Sequence, residues 1–272
     1  MRKGMTPFTY PLACIRPGVR LGELLVRIHR SKLTELWQGI GTVPIMSTAM
    51  PDPHDPDYCV VQMFVEIDRL EDVREWAEKI ADGEVQVAVS NIMELGWGLD
   101  RLFFPILFGR LRLIGLIGPL FIMGVHDMRE EVGYASDVFL YHLGFKYGFH
   151  LAEHMLKQLG LKPGSFSREE ILSLVEYFSD YARIVGFAII EPVTGDLEKA
   201  IFEFKMRDCW EAVLHLEVYG KSERPVCFFT KGNIAGVASY VLGIEIVADE
   251  IQCQAMGADY CLVRLRPAKQ RT

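Results

Sequence analysis

Apolar positions in the first hundred residues change period several times, and each change marks an element. Phe8 to Ile15 is apolar and extended, and Arg16-Pro17-Gly18 breaks it. Leu21, Leu24, Leu25 and Ile28 recur at helical spacing and predict a helix. Val43 to Met50 reads as a strand, Pro51 to Asp57 as a turn-rich loop, and Tyr58 to Ile67 as a second strand. Leu70, Val73, Trp76, Ala77 and Ile80 share one helical face, which Asp82-Gly83 ends. Glu84 to Ile92 alternates, with Val85, Val87 and Val89 on one side. The predicted order is βαββαβ.

The second half reads as helices followed by strands. A long helix is expected from Tyr134 to Leu159, with Gly144 and Gly148 on one face, where another element can approach closely. Ser167 and Glu170 have the spacing of a capping box and open a helix whose inner side carries Ile171, Leu174, Val175, Phe178, Tyr181 and Ala182. Three strands follow at Gly186–Val193, Ala200–Met206 and Cys209–Tyr219, then a helix of small residues at Lys231–Leu242. Glu245–Gln252 and Tyr260–Leu265 read as a closing hairpin. The whole is an α+β chain of two domains, residues 1–95 and 96–272.

Phe103 to Val125 is apolar enough to suggest a membrane span. Arg110 and Arg112 near its middle would each cost about 2.5–3.5 kcal/mol in a bilayer, and Pro105 and Pro119 interrupt it. Short buried strands joined by turns are the expected form. A net charge of −7 leaves no overall basic footprint for nucleic acid, and Arg264, Arg266, Lys269 and Arg271 read as a solvated tail. No N-terminal apolar stretch is long enough for a signal peptide, so a cytoplasmic protein is expected. A reducing compartment argues against a disulfide framework for the six cysteines and favours metal binding.

Cys253 follows Glu250 by three positions at the end of one strand, and Cys261 opens the next, so a hairpin brings all three together. Cys227 lies upstream and needs the fold to deliver it. Thiolates with one carboxylate suit zinc, and a closed set of four protein ligands suits a structural site. On spacing alone, the alternative is three buried cysteines acting as small hydrophobes beside a solvated Glu250.

Three stretches carry a resemblance: Trp210–Cys227 (WEAVLHLEVYGKSERPVC), Lys231–Gly243 (KGNIAGVASYVLG) and Glu250–Cys261 (EIQCQAMGADYC). They resemble the 4-vinyl reductase domain family, and the likeness extends upstream through LYHLGFKYG to cover about residues 96–266. The resemblance implies a zinc site of Cys227, Glu250, Cys253 and Cys261, dimerisation through this domain, and an apolar cavity for a small hydrophobic or aromatic molecule beside a zinc-bound hairpin. Trp210, Phe178, Tyr181, Tyr141 and His215 are the candidate cavity residues, with Trp210 expected on a strand beside Leu214 and Leu216. The N-terminal order, with its R-P-G-V opening, resembles ACT-type ligand-sensing domains and the broader ferredoxin-like fold over about residues 8–95. Such a module binds an effector or only mediates packing.

The reading is a regulatory binding protein acting as a homodimer, with a partner protein for its output. A reductase or reductase subunit acting on a vinyl or tetrapyrrole substrate is the alternative, and a scaffold is the second. No dinucleotide, flavin or iron–sulfur motif is legible, and no catalytic residue is assigned.

Overall fold

The computed structural model describes residues 13–16, 18–52, 54–89, 97–99, 102, 107–108, 111–158 and 160–268. Residues 8–12 and 90–92 of the expected strands, Phe103–Ile106, Arg110, and tail residues Lys269 and Arg271 lie outside them. The fold is mixed α and β and divides into two compact units, residues 1–114 and 115–272.

The first unit holds β1 (Ala13–Ile15), β2 (Leu21–His29), α1 (Leu33–Ile40), β3 (Met46–Pro51), β4 (Tyr58–Glu66), α2 (Ile67–Ile80), β5 (Val85–Val89), β6 (Trp97–Leu99), β7 (Leu107–Phe108) and β8 (Leu111–Arg112). Leu21 to Ile28 is therefore strand and not helix. β2 lies between β4 and β5 in an antiparallel sheet of order β3-β4-β2-β5. A central strand buries residues on both faces, so its apolar set runs nearly continuously and imitates a helical period. Leu24, Val26 and Ile28 point to one face, where they pack with Val61, Met63 and Val65 against Leu36, Ile40, Val73 and Ala77 of the two helices. The opposite face buries Glu23, which accepts a 2.6 Å hydrogen bond from the Gln62 amide.

The second unit holds α3 (Gly118–Val132), α4 (Tyr134–Gln158), α5 (Arg168–Ile184), β9 (Ile189–Asp196), β10 (Ile201–Arg207), α6 (Trp210–Tyr219), α7 (Phe228–Leu242), β11 (Ile246–Gln252) and β12 (Cys261–Pro267). Its strands form an antiparallel sheet of order β11-β12-β10-β9. Two expectations are corrected. From residue 118 the apolar segment is helix, with Pro119 in its first turn, where a missing N–H costs nothing. Leu116, Ile117 and Leu120 are exposed, not buried. Residues 210–219 are also helix: β10 ends at a left-handed Asp208, and Gly220 at φ 78° closes α6. This segment is apolar nearly all round, so its strand-like alternation coexists with good helix formers Glu211, Ala212, Leu214 and Leu216. Among the described residues no helix is long and apolar enough to cross a membrane.

α7 is the centre of the second unit. It is apolar on every side, as a helix covered all round must be. The sheet packs on it through Phe204, Met206, Val263 and Leu265. On another side it crosses α4 at four glycines. A Cβ on Gly144 would lie 2.1 Å from the Phe229 carbonyl oxygen, and one on Gly148 equally close to that of Asn233. Gly232 and Gly236 approach the Tyr141 and Phe145 carbonyls in the same way, at 2.2 and 2.0 Å. The glycine face of α4 is thus used inside the chain and leaves nothing for a second copy.

Candidate functional site

A cavity of about 80 Å³ opens between α5, α7 and the sheet. α5 starts where expected: the Ser167 side chain accepts from the Glu170 N–H, and Glu170 accepts the Ser167 N–H at 2.7 Å. That fixed start sets the helix phase, which turns Ile171, Leu174, Val175 and Phe178 inward. Val237, Val241 and Leu242 of α7 face them, and Ile190, Phe202, Phe204 and Leu265 form the sheet wall. Ser179 and Asn233 are the polar side chains of the lining.

Of the five expected cavity residues, the structure puts Phe178 in this lining. Trp210 stands instead in an aromatic cluster, with ring centroids 5.5 Å from Phe121, 6.4 Å from Phe187 and 6.3 Å from Phe229. Its indole N–H donates to the Thr230 hydroxyl at 3.0 Å. The Tyr181 hydroxyl pairs with that of Tyr147 at 2.6 Å, and burial pushes its pKa up. The Tyr141 hydroxyl accepts from the Ala248 N–H at 3.1 Å, at the edge of a second, open hollow of about 360 Å³. Buried Asp137 lines that hollow and pairs with Arg129 at 2.6 Å and Arg224 at 3.0 Å. His215 lies on α6 beside Tyr219, where burial, then the Arg129 and His126 charges, lower its pKa. Asn233 and the sheet residues were not singled out in the sequence. An amide within the apolar run of α7 was the legible signal for Asn233.

The four candidate metal ligands do come together, with ligand atoms all within 4.8 Å of one another. Cys227 caps the start of α7, Glu250 and Cys253 come from the end of β11, and Cys261 opens β12. The Sγ of Cys227 lies 3.9 Å from that of Cys253 and 3.7 Å from that of Cys261, and the last two are 3.9 Å apart. Glu250 Oε2 accepts the Cys227 N–H at 3.2 Å, while Oε1 is buried with no hydrogen-bond partner. Burial, then the Cys253 charge, pushes the Glu250 carboxyl up to about 9. Hydrogen bonds from the Cys227 and Cys261 thiols hold Cys253 down at about 2. One thiolate is thus served by two neighbours that keep their protons. A divalent cation at this point would replace those protons and let all the thiols ionise.

Two further residues brace the cluster. Cys209 is fully buried beside it and accepts from the Cys227 and Cys261 thiols, which pull its pKa well below the ordinary value. Glu211 Oε1 accepts the Phe229 N–H at 2.9 Å, and Oε2 accepts that of Thr230 at 2.8 Å. This buried carboxylate caps the first turn of α7, where free N–H groups and the helix dipole favour a negative charge. Burial, then the Cys209 charge, nevertheless raises Glu211 to about 8, with the two N–H bonds opposing.

Comparison with known proteins gives consistent relatives. The phenol regulator MopR of Acinetobacter guillouiae is 31% identical over 78 residues, 29% of this chain and 14% of MopR. An uncharacterized protein of Methanocaldococcus jannaschii is 40% identical over 47 residues, 17% of this chain and 26% of its own. These matches therefore span about a quarter or less of either relative's length. The phenol-responsive sensory domain of the transcription activator PoxR, solved with phenol, has a similar fold, with a TM-score of 0.52 at 23% identity. That likeness covers 61% of this chain and 82% of the sensory domain. The family match falls on α6, α7, the closing hairpin and the cluster between them: residues 206–267 of this chain are a 4-vinyl reductase domain.

Proposed function

We propose that this chain is a zinc-containing regulatory protein whose second unit, the one bearing the 4-vinyl reductase domain, binds a small apolar or aromatic molecule. The observation that carries the reading is the cavity between α5, α7 and the sheet, with its almost wholly apolar lining. Its setting, in a unit whose fold is similar to a phenol-responsive sensory domain and whose sequence is similar to a phenol regulator, supports a sensory role. Residues 96–272 form the ligand-binding domain in this reading. Phe178 serves as a cavity wall, and Trp210, Tyr181, Tyr141 and His215 support that wall from outside.

Zinc is the proposed metal. A tetrahedral zinc with Zn–S bonds of about 2.3 Å holds its sulfurs about 3.8 Å apart. The observed separations of 3.7 to 3.9 Å match, and the unpartnered Glu250 Oε1 supplies a fourth donor atom. Cys227, Glu250, Cys253 and Cys261 would hold the ion, which would supply a staple between α7 and the closing hairpin. All six cysteines are buried and free, in keeping with a cytoplasmic protein.

Residues 1–95 are proposed to be a ferredoxin-like, ACT-like module that receives a second effector or relays the signal. The β3-β4-β2-β5 order with both helices on one face supports this. A homodimer through the second unit, with a partner protein for output, completes the reading. Exposed Leu116, Ile117 and Leu120, with Val138, Phe139 and Leu143 of α4, supply apolar surface for it. Native mass spectrometry of the purified chain tests ligand and assembly together. A dimer mass carrying zinc and a small co-purifying molecule is expected. A bare monomer that takes up no added phenol or hydrocarbon would refute the proposal.

A further inference from the structure

Asn233 does not belong in the middle of an apolar helix by propensity or by burial. Asparagine is a poor helix former, and a buried amide needs partners. Here it is 6% exposed, and its Nδ2 is buried with no hydrogen-bond acceptor in reach. The side chain is part of the cavity lining. Ser179, the other polar residue of that lining, already donates its hydroxyl to the Val175 carbonyl at 2.7 Å. Asn233 therefore offers a free donor in a wall that is otherwise apolar. Its backbone is fixed as well, because its carbonyl oxygen abuts Gly148 where α4 and α7 cross. The amide cannot retreat from the cavity without parting the two helices.

Resting on the cavity reading above, we infer that Asn233 selects ligands that carry a hydrogen-bond acceptor on a compact apolar frame. A small ketone, aldehyde or ether has that chemistry. A pure hydrocarbon leaves the amide unanswered, and no lining residue is charged to balance an ion. Size narrows the class. The cavity of about 80 Å³ is roughly half the ~150 Å³ that admits benzene, so molecules of about four to six non-hydrogen atoms fit without moving α5.

The test uses the full chain, isotope-labelled, and two probes of one shape, cyclopentanone and methylenecyclopentane. NMR titration gives the dissociation constant of each for the native protein, Asn233→Leu and Asn233→Ala. The ketone is expected to shift the Asn233 side-chain amide resonances, and the hydrocarbon is not. Relative to the hydrocarbon, the ketone should lose about tenfold in affinity in both variants, the scale of one buried hydrogen bond. An unchanged ketone-to-hydrocarbon ratio in the variants, or no amide shift in the native protein, would overturn the role of Asn233 and leave the cavity standing. If neither probe binds the native protein, the cavity reading itself falls. Should the variants not fold, the native amide shift decides alone.

Discussion

Replacing Gly148 by Ala pits two effects of opposite sign against each other, and the structure says which wins. Alanine for glycine inside a helix is favourable by about 0.8–1.0 kcal/mol. The added methyl, however, would sit 2.1 Å from the Asn233 carbonyl oxygen, where ordinary contact begins at 3.4 Å. The obstacle is backbone, so no side chain can swing away, and α4 and α7 must part by more than about 1 Å. A gap of that size forfeits about a quarter to a half of each dispersion contact along the crossing. Overpacking of this kind costs about 1–3 kcal/mol, which exceeds the propensity gain at all but its lower end. With about 2–4 °C per kcal/mol for a unit of this size, the melting temperature should fall by several degrees. Gly124→Ala on α3 is the control, since its methyl would meet nothing within 4 Å and should raise the melting temperature slightly. Thermal unfolding followed by circular dichroism reads both variants. If Gly148→Ala stabilises as much as Gly124→Ala, the close crossing, and the positioning of Asn233 that depends on it, is wrong.

Cys253→Ser should lower zinc content and melting temperature together, as read by metal analysis and calorimetry, because ligation and folding of the closing hairpin are coupled. Cys14→Ser and Cys59→Ser, outside the cluster, should leave the zinc content unchanged. Trp210→Ala should cost about 3–5 kcal/mol in urea unfolding, since it empties the centre of an aromatic cluster and strands the buried Thr230 hydroxyl. Retention of near-native stability would mean that Trp210 edges a pocket after all.

How far the sequence could be read depends on whether each signal was local. The Ser167–Glu170 capping box is complete within four residues, and it appears as expected with the inner face of α5 in the right phase. The hairpin that gathers Glu250, Cys253 and Cys261 is similarly local: β11 and β12 are joined by a short 3-10 turn and Gly257 at φ 98°, and their pairing decides where the ligands fall. Period alone failed in two apolar segments. β2 is central and buried on both faces, and α6 is apolar nearly all round, so neither leaves a clean stripe from which to choose between strand and helix.

The cavity was harder to read because its walls meet only in three dimensions. Once residues 210–219 turn helical, Trp210 leaves the sheet, and its place facing α5 is taken by Phe202 and Phe204 of β10. The glycines show the same limit from the other side. Gly144 and Gly148 announce a close approach, but they do not say to what, and a second copy of the chain was as good a guess as α7. The matching Gly232 and Gly236 decide it, because two helices with glycines four apart can bring backbone against backbone along one crossing. That crossing joins the two halves of the site. α7 begins at Cys227 in the metal cluster and carries Asn233 into the cavity about two turns later, with α4 pressed along its back. A change in how α7 is held at its capped start is therefore felt directly at the cavity wall, and both must be kept in place for either to work.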